Sequence, residues 1–171
     1  MPSRPRSPLR LPAVAVMLAA TVLAPPMGAE RSGLPHDAPW AWPVIGPVVR
    51  PFVQPATPYG PGHRGIDIRS ADGTVRAPAA GEVRFVGTVV DRPLISLDHG
   101  DGYVSSLEPV RANVTAGSAV ERGQVIGVVD RGGHVRDGEV HFGVRRDGEY
   151  INPLLLLGGV PRAVLLPCCD D

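Results

Sequence analysis

The chain has 171 residues, with 17 arginines, no lysine and 17 acids, so its formal net charge is zero. Arg4, Arg6 and Arg10 precede residue 30, which leaves 14 Arg against 17 Asp plus Glu from Glu30 onward, a balance of −3. That balance argues against nucleic acid or an anionic surface as partner, since both demand a basic excess. The missing lysine also excludes a lysine-borne cofactor, although Gly117–Gly127 and Ala80–Val83 have the flavour of a small carrier barrel.

In chain order, the three early arginines form a positive start, and Leu11 to Leu23 is apolar apart from Pro12 and Thr21. Small residues around Gly28 and Ala29 complete the pattern of a secretory signal peptide over residues 1–29. A membrane anchor needs roughly 20 apolar residues, and Pro25 and Pro26 cut this run short. No Arg-Arg pair precedes the run, and no cysteine stands near the cut to accept a lipid. The expectation is a secreted, extracytoplasmic protein with no membrane contact once the signal is removed.

Residues 30–45 read as an extended leading segment rich in Pro and Trp. Trp40 and Trp42 either line a groove or pack on the edge of the core, and packing is expected. His36 receives no role. From residue 46 to 157, short apolar runs alternate with Gly, Pro and Asp every 8–12 residues. Strands are predicted at 47–53, 65–69, 82–90, 93–98, 102–107, 124–130 and 139–146, with no helix of ten residues or more. This rhythm predicts an all-β fold, a small antiparallel sandwich or open barrel. Asp98 to Gly102 reads as a hairpin turn, Asp72-Gly73 as another. Leu154 to Leu157 is expected to seal one end of the core, and 158–171 to form a tail. Cys168 and Cys169 are neighbours, so they close no long-range staple within the chain.

Two segments carry candidate metal chemistry. His63-Arg64-Gly65-Ile66-Asp67 follows a Gly/Pro-rich loop, and Glu139-Val140-His141-Phe142-Gly143-Val144 forms the last long strand. Strand alternation turns Val140, Phe142 and Val144 to the core and leaves Glu139 and His141 together on the other face. His and Asp are good zinc ligands, and three protein ligands with an open fourth position define a catalytic zinc site. On spacing alone the signal is weak, and two distant histidines are more often ordinary polar residues than ligands.

The stretch Gly60 to Pro153 resembles the lysostaphin/LytM-type zinc metallopeptidases. The matching segments, in family order, are His63 to Ile68, Ala77 to Val83, Asp98 to Tyr103, Val120 to Gly127 and Val140-His141-Phe142. The resemblance implies the duplicated-hybrid-motif β-fold, one zinc per chain on His63, Asp67 and His141, and peptidoglycan cross-link peptides as substrate. It also implies two further histidines beside the metal. Glu139 stands where one should be and Pro109 where the other should be, and proline offers no side-chain donor or acceptor.

Catalysis is therefore expected to be reduced or absent, with Glu139 as a possible base or, alternatively, a fourth ligand. A degenerate domain would bind wall peptides or regulate another cell-wall enzyme. An active endopeptidase using Glu139 is the alternative. His99 is expected to be a structural turn residue and His134 a solvated loop residue able to swing towards the site.

Overall fold

The computed structural model describes residues 39–57 and 59–158. The expected signal peptide, His36, Cys168 and Cys169 lie outside the described residues. Eleven strands follow one another: β1 (Val48–Arg50), β2 (Ile66–Arg69), β3 (Thr74–Arg76), β4 (Gly81–Val89), β5 (Arg92–Gly100) and β6 (Tyr103–Glu108) come first. Then come β7 (Val110–Ala112), β8 (Ala119–Val120), β9 (Val125–Val129), β10 (Glu139–Arg146) and β11 (Glu149–Ile151), and a 3₁₀ turn over Pro153–Leu155. No α-helix occurs among the described residues.

The larger sheet runs β1-β2-β10-β6-β5-β4-β8, with β11 also paired to β10, and a three-stranded sheet runs β3-β9-β7. Every pairing is antiparallel, as hairpin connections allow. The all-β reading is right. All seven predicted strands form, and the short β3, β7, β8 and β11 add to them.

Alternation explains the core. On β10, Val140, Phe142 and Val144 are fully buried against Ile66, Ile68 and Leu107, while Glu139 and His141 take the other face. The small sheet contributes Val75, Val110 and Ile126 to the same core. Two Asp-Gly turns set the register around the site. Asp101 and Gly102, with φ of 47° and 77°, join β5 to β6; Asp147 and Gly148, with φ of 52° and 87°, join β10 to β11. Both residues of such a turn need positive φ, which Asp tolerates and Gly adopts without strain.

The ends close as expected. Trp40 packs on the core edge, its ring 4.5 Å from that of His99 and 5.8 Å from that of Tyr103. Its amide donates to the Leu156 carbonyl, and Leu157 is buried. His99 is structural. Its Nδ1–H donates to the Ala80 carbonyl at 2.9 Å, which leaves Nε2 to accept from the buried Ser105 hydroxyl at 2.7 Å. Burial holds its pKa below the ordinary histidine value.

Candidate metal centre

The register of three strands builds the centre. Asp67 on β2 pairs directly with His141 on β10, and His141 pairs in turn with Glu108 on β6. Directly paired residues project to the same face, so a carboxylate, an imidazole and a second carboxylate stand in one row. His63 joins from the loop before β2, pinned by an isolated bridge to Val53.

The donor atoms converge tightly. His63 Nε2 is 3.0 Å from Asp67 Oδ1 and 3.1 Å from His141 Nδ1, and His141 Nδ1 is 2.8 Å from Asp67 Oδ1. All three side chains are buried. The orientation of His63 is fixed from behind, because its Nδ1–H donates to the Pro51 carbonyl at 2.7 Å. A metal-ligating histidine is held in the same way, through its other nitrogen.

This arrangement tests whether a metal fits. With the His63 proton on Nδ1, the neutral ring turns a lone pair on Nε2 towards the Asp67 carboxylate and His141 Nδ1. A single proton on His141 Nδ1 cannot serve both neighbours. A cation between the three atoms satisfies all of them, and two imidazoles with one carboxylate are a donor set that suits zinc. The residues fit the ion. Burial alone would raise the Asp67 pKa, but the hydrogen bond from His141 and the fields of His141, His63 and His134 hold it below its ordinary value.

The sequence expectation for His134 changes. The residue is partly exposed, yet its Nε2 lies 3.7 Å from Asp67 Oδ1 and its Nδ1 3.9 Å from Glu108 Oε1. Its ring stands 4.8 Å from that of His141 and 5.9 Å from that of His63. One ligand atom from each of His63, Asp67, His134 and His141 falls within 4.8 Å of the others. Burial, and then the field of His141, lower the His134 pKa.

Glu139 is not brought into this group. It does share the His141 face, as alternation requires, but its cross-strand partner is Arg69. Arg69 Nη2 donates to Glu139 Oε1 at 2.9 Å, and the Arg136 amide donates to the other oxygen at 3.3 Å. Pro109 ends β6 beside the site with only its carbonyl engaged, by the Asp130 amide. The acid that reaches the site is its neighbour Glu108, which sequence reasoning passed over. Arg92 Nε lies 2.9 Å from Glu108 Oε1, at ion-pair distance but off the line that a hydrogen bond needs.

A groove of ≈740 Å³ opens over the group, lined by His63, His134 and His141 together with Glu108 and Tyr150. Its floor includes small side chains: Ser96 pairs with Ser106, and Ser106 with Gly143. One glycine keeps the centre open. A Cβ on Gly65 would fall 2.6 Å from His141 Cε1 and Nε2, and closer still to the Phe142 carbonyl oxygen.

An antiparallel β-fold with a buried His-Asp-His group at the floor of a groove is a frame that can hold a metal ion. Residues 61–153 match Peptidase family M23, and the chain belongs to that family, which is zinc-dependent. The uncharacterized protein Rv2891 of Mycobacterium tuberculosis (strain ATCC 25618 / H37Rv) is 35% identical over 134 residues, covering 73% of this chain and 54% of its own length. Cell division protein DipM of Caulobacter vibrioides (strain NA1000 / CB15N) is 31% identical over 110 residues, covering 62% of this chain and 18% of DipM. The chain thus spans about half the length of the first of these relatives, and less of the second. Among solved structures, a putative peptidase M23 from Pseudomonas aeruginosa shares 28% identity at a TM-score of 0.55, covering 72% of this chain and 54% of that one.

Proposed function

We propose that this chain is an exported zinc endopeptidase acting on the peptide cross-links of the bacterial cell wall, with His134 in place of the missing family histidines. The observation that carries this reading is the position of His134. It lies at the open, groove-facing side of the His63-Asp67-His141 group and outside its tight contacts. Family membership and the likeness to DipM, a cell division protein, support a wall substrate.

His63, Asp67 and His141 would hold the ion. When bound, zinc supplies Lewis-acid polarisation of the scissile carbonyl and acidifies water at the site, to a pKa of about 7. The chain's own groups do the rest. Glu108 Oε1 faces His134 Nδ1 and favours the tautomer with the proton there, which leaves Nε2 to take a proton from water and return it to the leaving amine. Arg92, 2.9 Å from Glu108 Oε1, holds that carboxylate in place. Protonated His134 is also a donor to charge developing on the carbonyl oxygen, a contribution on the order of 10²–10³ in rate. Glu139 serves structure here, as the partner of Arg69.

A second reading makes His134 a fourth ligand, since its ligand atom falls within 4.8 Å of the other three; a closed coordination shell would extinguish catalysis. One experiment separates them. Wall peptides are incubated with the zinc-replete wild type and with His134→Ala, and products and bound zinc are measured together. The proposed role predicts cleavage by the wild type and a fall of about 10²–10³ in the variant with one zinc retained. A variant that binds zinc more weakly, yet turns over faster once saturated with zinc, would establish the ligand role instead.

A further inference from the structure

The groove over the metal group is far more basic than the chain that builds it. Of the 14 arginines from Glu30 onward, five line it: Arg50, Arg64, Arg84, Arg92 and Arg145. Glu108 is the one acid among the described lining residues, and Arg92 pairs with it. Arg50 makes one long contact, 3.9 Å to Asp67 Oδ2. Arg84 and Arg145 form no ion pair with any described residue; Arg145 instead stacks on Tyr150, with its guanidinium 5.6 Å from the ring centre. A protein of this acidic balance gains nothing in solubility from gathering like charges around one trough. Like charges held together repel one another, and an anionic ligand relieves that repulsion.

The shape of the trough says what form the anion takes. Phe85, Ser96, Ser106 and Gly143 form one cross-strand row over β4, β5, β6 and β10, and three of the four are small. Such a floor suits an extended backbone lying beside the metal group. Guanidinium forks along the walls match carboxylates in a bidentate way, which a lysine ammonium does not.

We infer that the groove selects peptides carrying at least two free carboxylates near the scissile bond, and discriminates against neutral or amidated peptides of the same backbone. This inference rests on the proposed peptidase reading for the meaning of scissile bond, but its test reads binding, not turnover. A fluorescent peptide with two free carboxylates is compared with its singly and doubly amidated forms, by polarisation, on the full chain with and without zinc. The expected result is a loss of about tenfold in affinity per carboxylate amidated, the scale of a charged hydrogen bond. The preference should weaken as salt rises from about 0.01 M to 1 M and the screening length falls from roughly 30 Å to 3 Å.

Arg84→Gln and Arg145→Gln should each reduce the discrimination, and Arg84→Lys should restore part of it by returning the charge without the fork. Melting curves check that each variant folds. Equal affinity for the acid and the doubly amidated peptide would overturn the inference, as would equally strong competition by inorganic phosphate or a phosphate-rich glycan polymer. If the metal-free chain prefers the acid peptide while no peptide is ever cleaved, the inference stands and the catalytic reading falls.

Discussion

Gly65→Ala is a one-carbon test of the centre. The new Cβ would lie 2.6 Å from His141 Cε1 and Nε2, and ordinary contact begins at 3.4 Å. The imidazole must therefore move by about 0.8 Å, against a backbone whose Phe142 carbonyl oxygen is closer still. Zinc sites tolerate about 0.2 Å in ligand distance, so the displacement removes His141 as a ligand. Overpacking of this kind costs about 1–3 kcal/mol of folding stability. Zinc affinity is read by competition with a chromogenic chelator, and stability by thermal melting of the metal-free chain. A fall in zinc affinity of more than about a hundredfold, comparable to the larger effects of disturbing a ligand's support, accompanies a lowered melting temperature. Wild-type zinc affinity in Gly65→Ala would refute the placement of His141.

His141→Ala should abolish zinc binding, measured as metal content by mass spectrometry, while the fold is kept because the side chain lies on the face away from Phe142 and the core. Glu139→Gln should leave bound zinc and turnover unchanged and cost about 0.5–1.5 kcal/mol in a denaturant titration, the scale of one lost polar pairing. Glu108→Gln should lower turnover with little change in KM, and Arg92→Gln should have a weaker effect in the same direction, both read in steady-state kinetics. His99 has a folded pKa below its ordinary 6.5, so the unfolded chain binds its proton more readily. The stability it contributes is full above pH 6.5 and is lost as pH falls below that value. Melting of wild type against His99→Gln across this range should show the larger acid-side loss in the wild type, since His134, also lowered, is common to both.

Much of this was legible in the sequence because alternation is a local signal. Val140, Phe142 and Val144 announced the core face of β10 and so the face of His141. The short strands β3, β7, β8 and β11 escaped because two or three residues carry too little alternation to read; Glu149–Ile151 went unread even though Asp147-Gly148 before it is a strong hairpin signal. The site was harder, since register between distant strands decides it. Glu139 shares the His141 face but stands opposite Arg69, and that pairing takes its carboxylate. Glu108 enters because β6 pairs with β10 at His141, a fact not written near Glu108 itself. His134 depends on the path of the loop between β9 and β10, where no periodicity exists to place a side chain.

The central claim is metal-dependent cleavage at this group of residues, and a zinc titration of activity tests it most directly. The chain is stripped of metal and zinc is returned in fractions of an equivalent, with a cross-linked wall peptide as substrate and its cleavage followed by mass spectrometry. The account predicts product that rises in proportion to zinc and levels off at one equivalent per chain. Peptide left intact with one equivalent bound, or cleaved at the same rate by the metal-free chain, would contradict it.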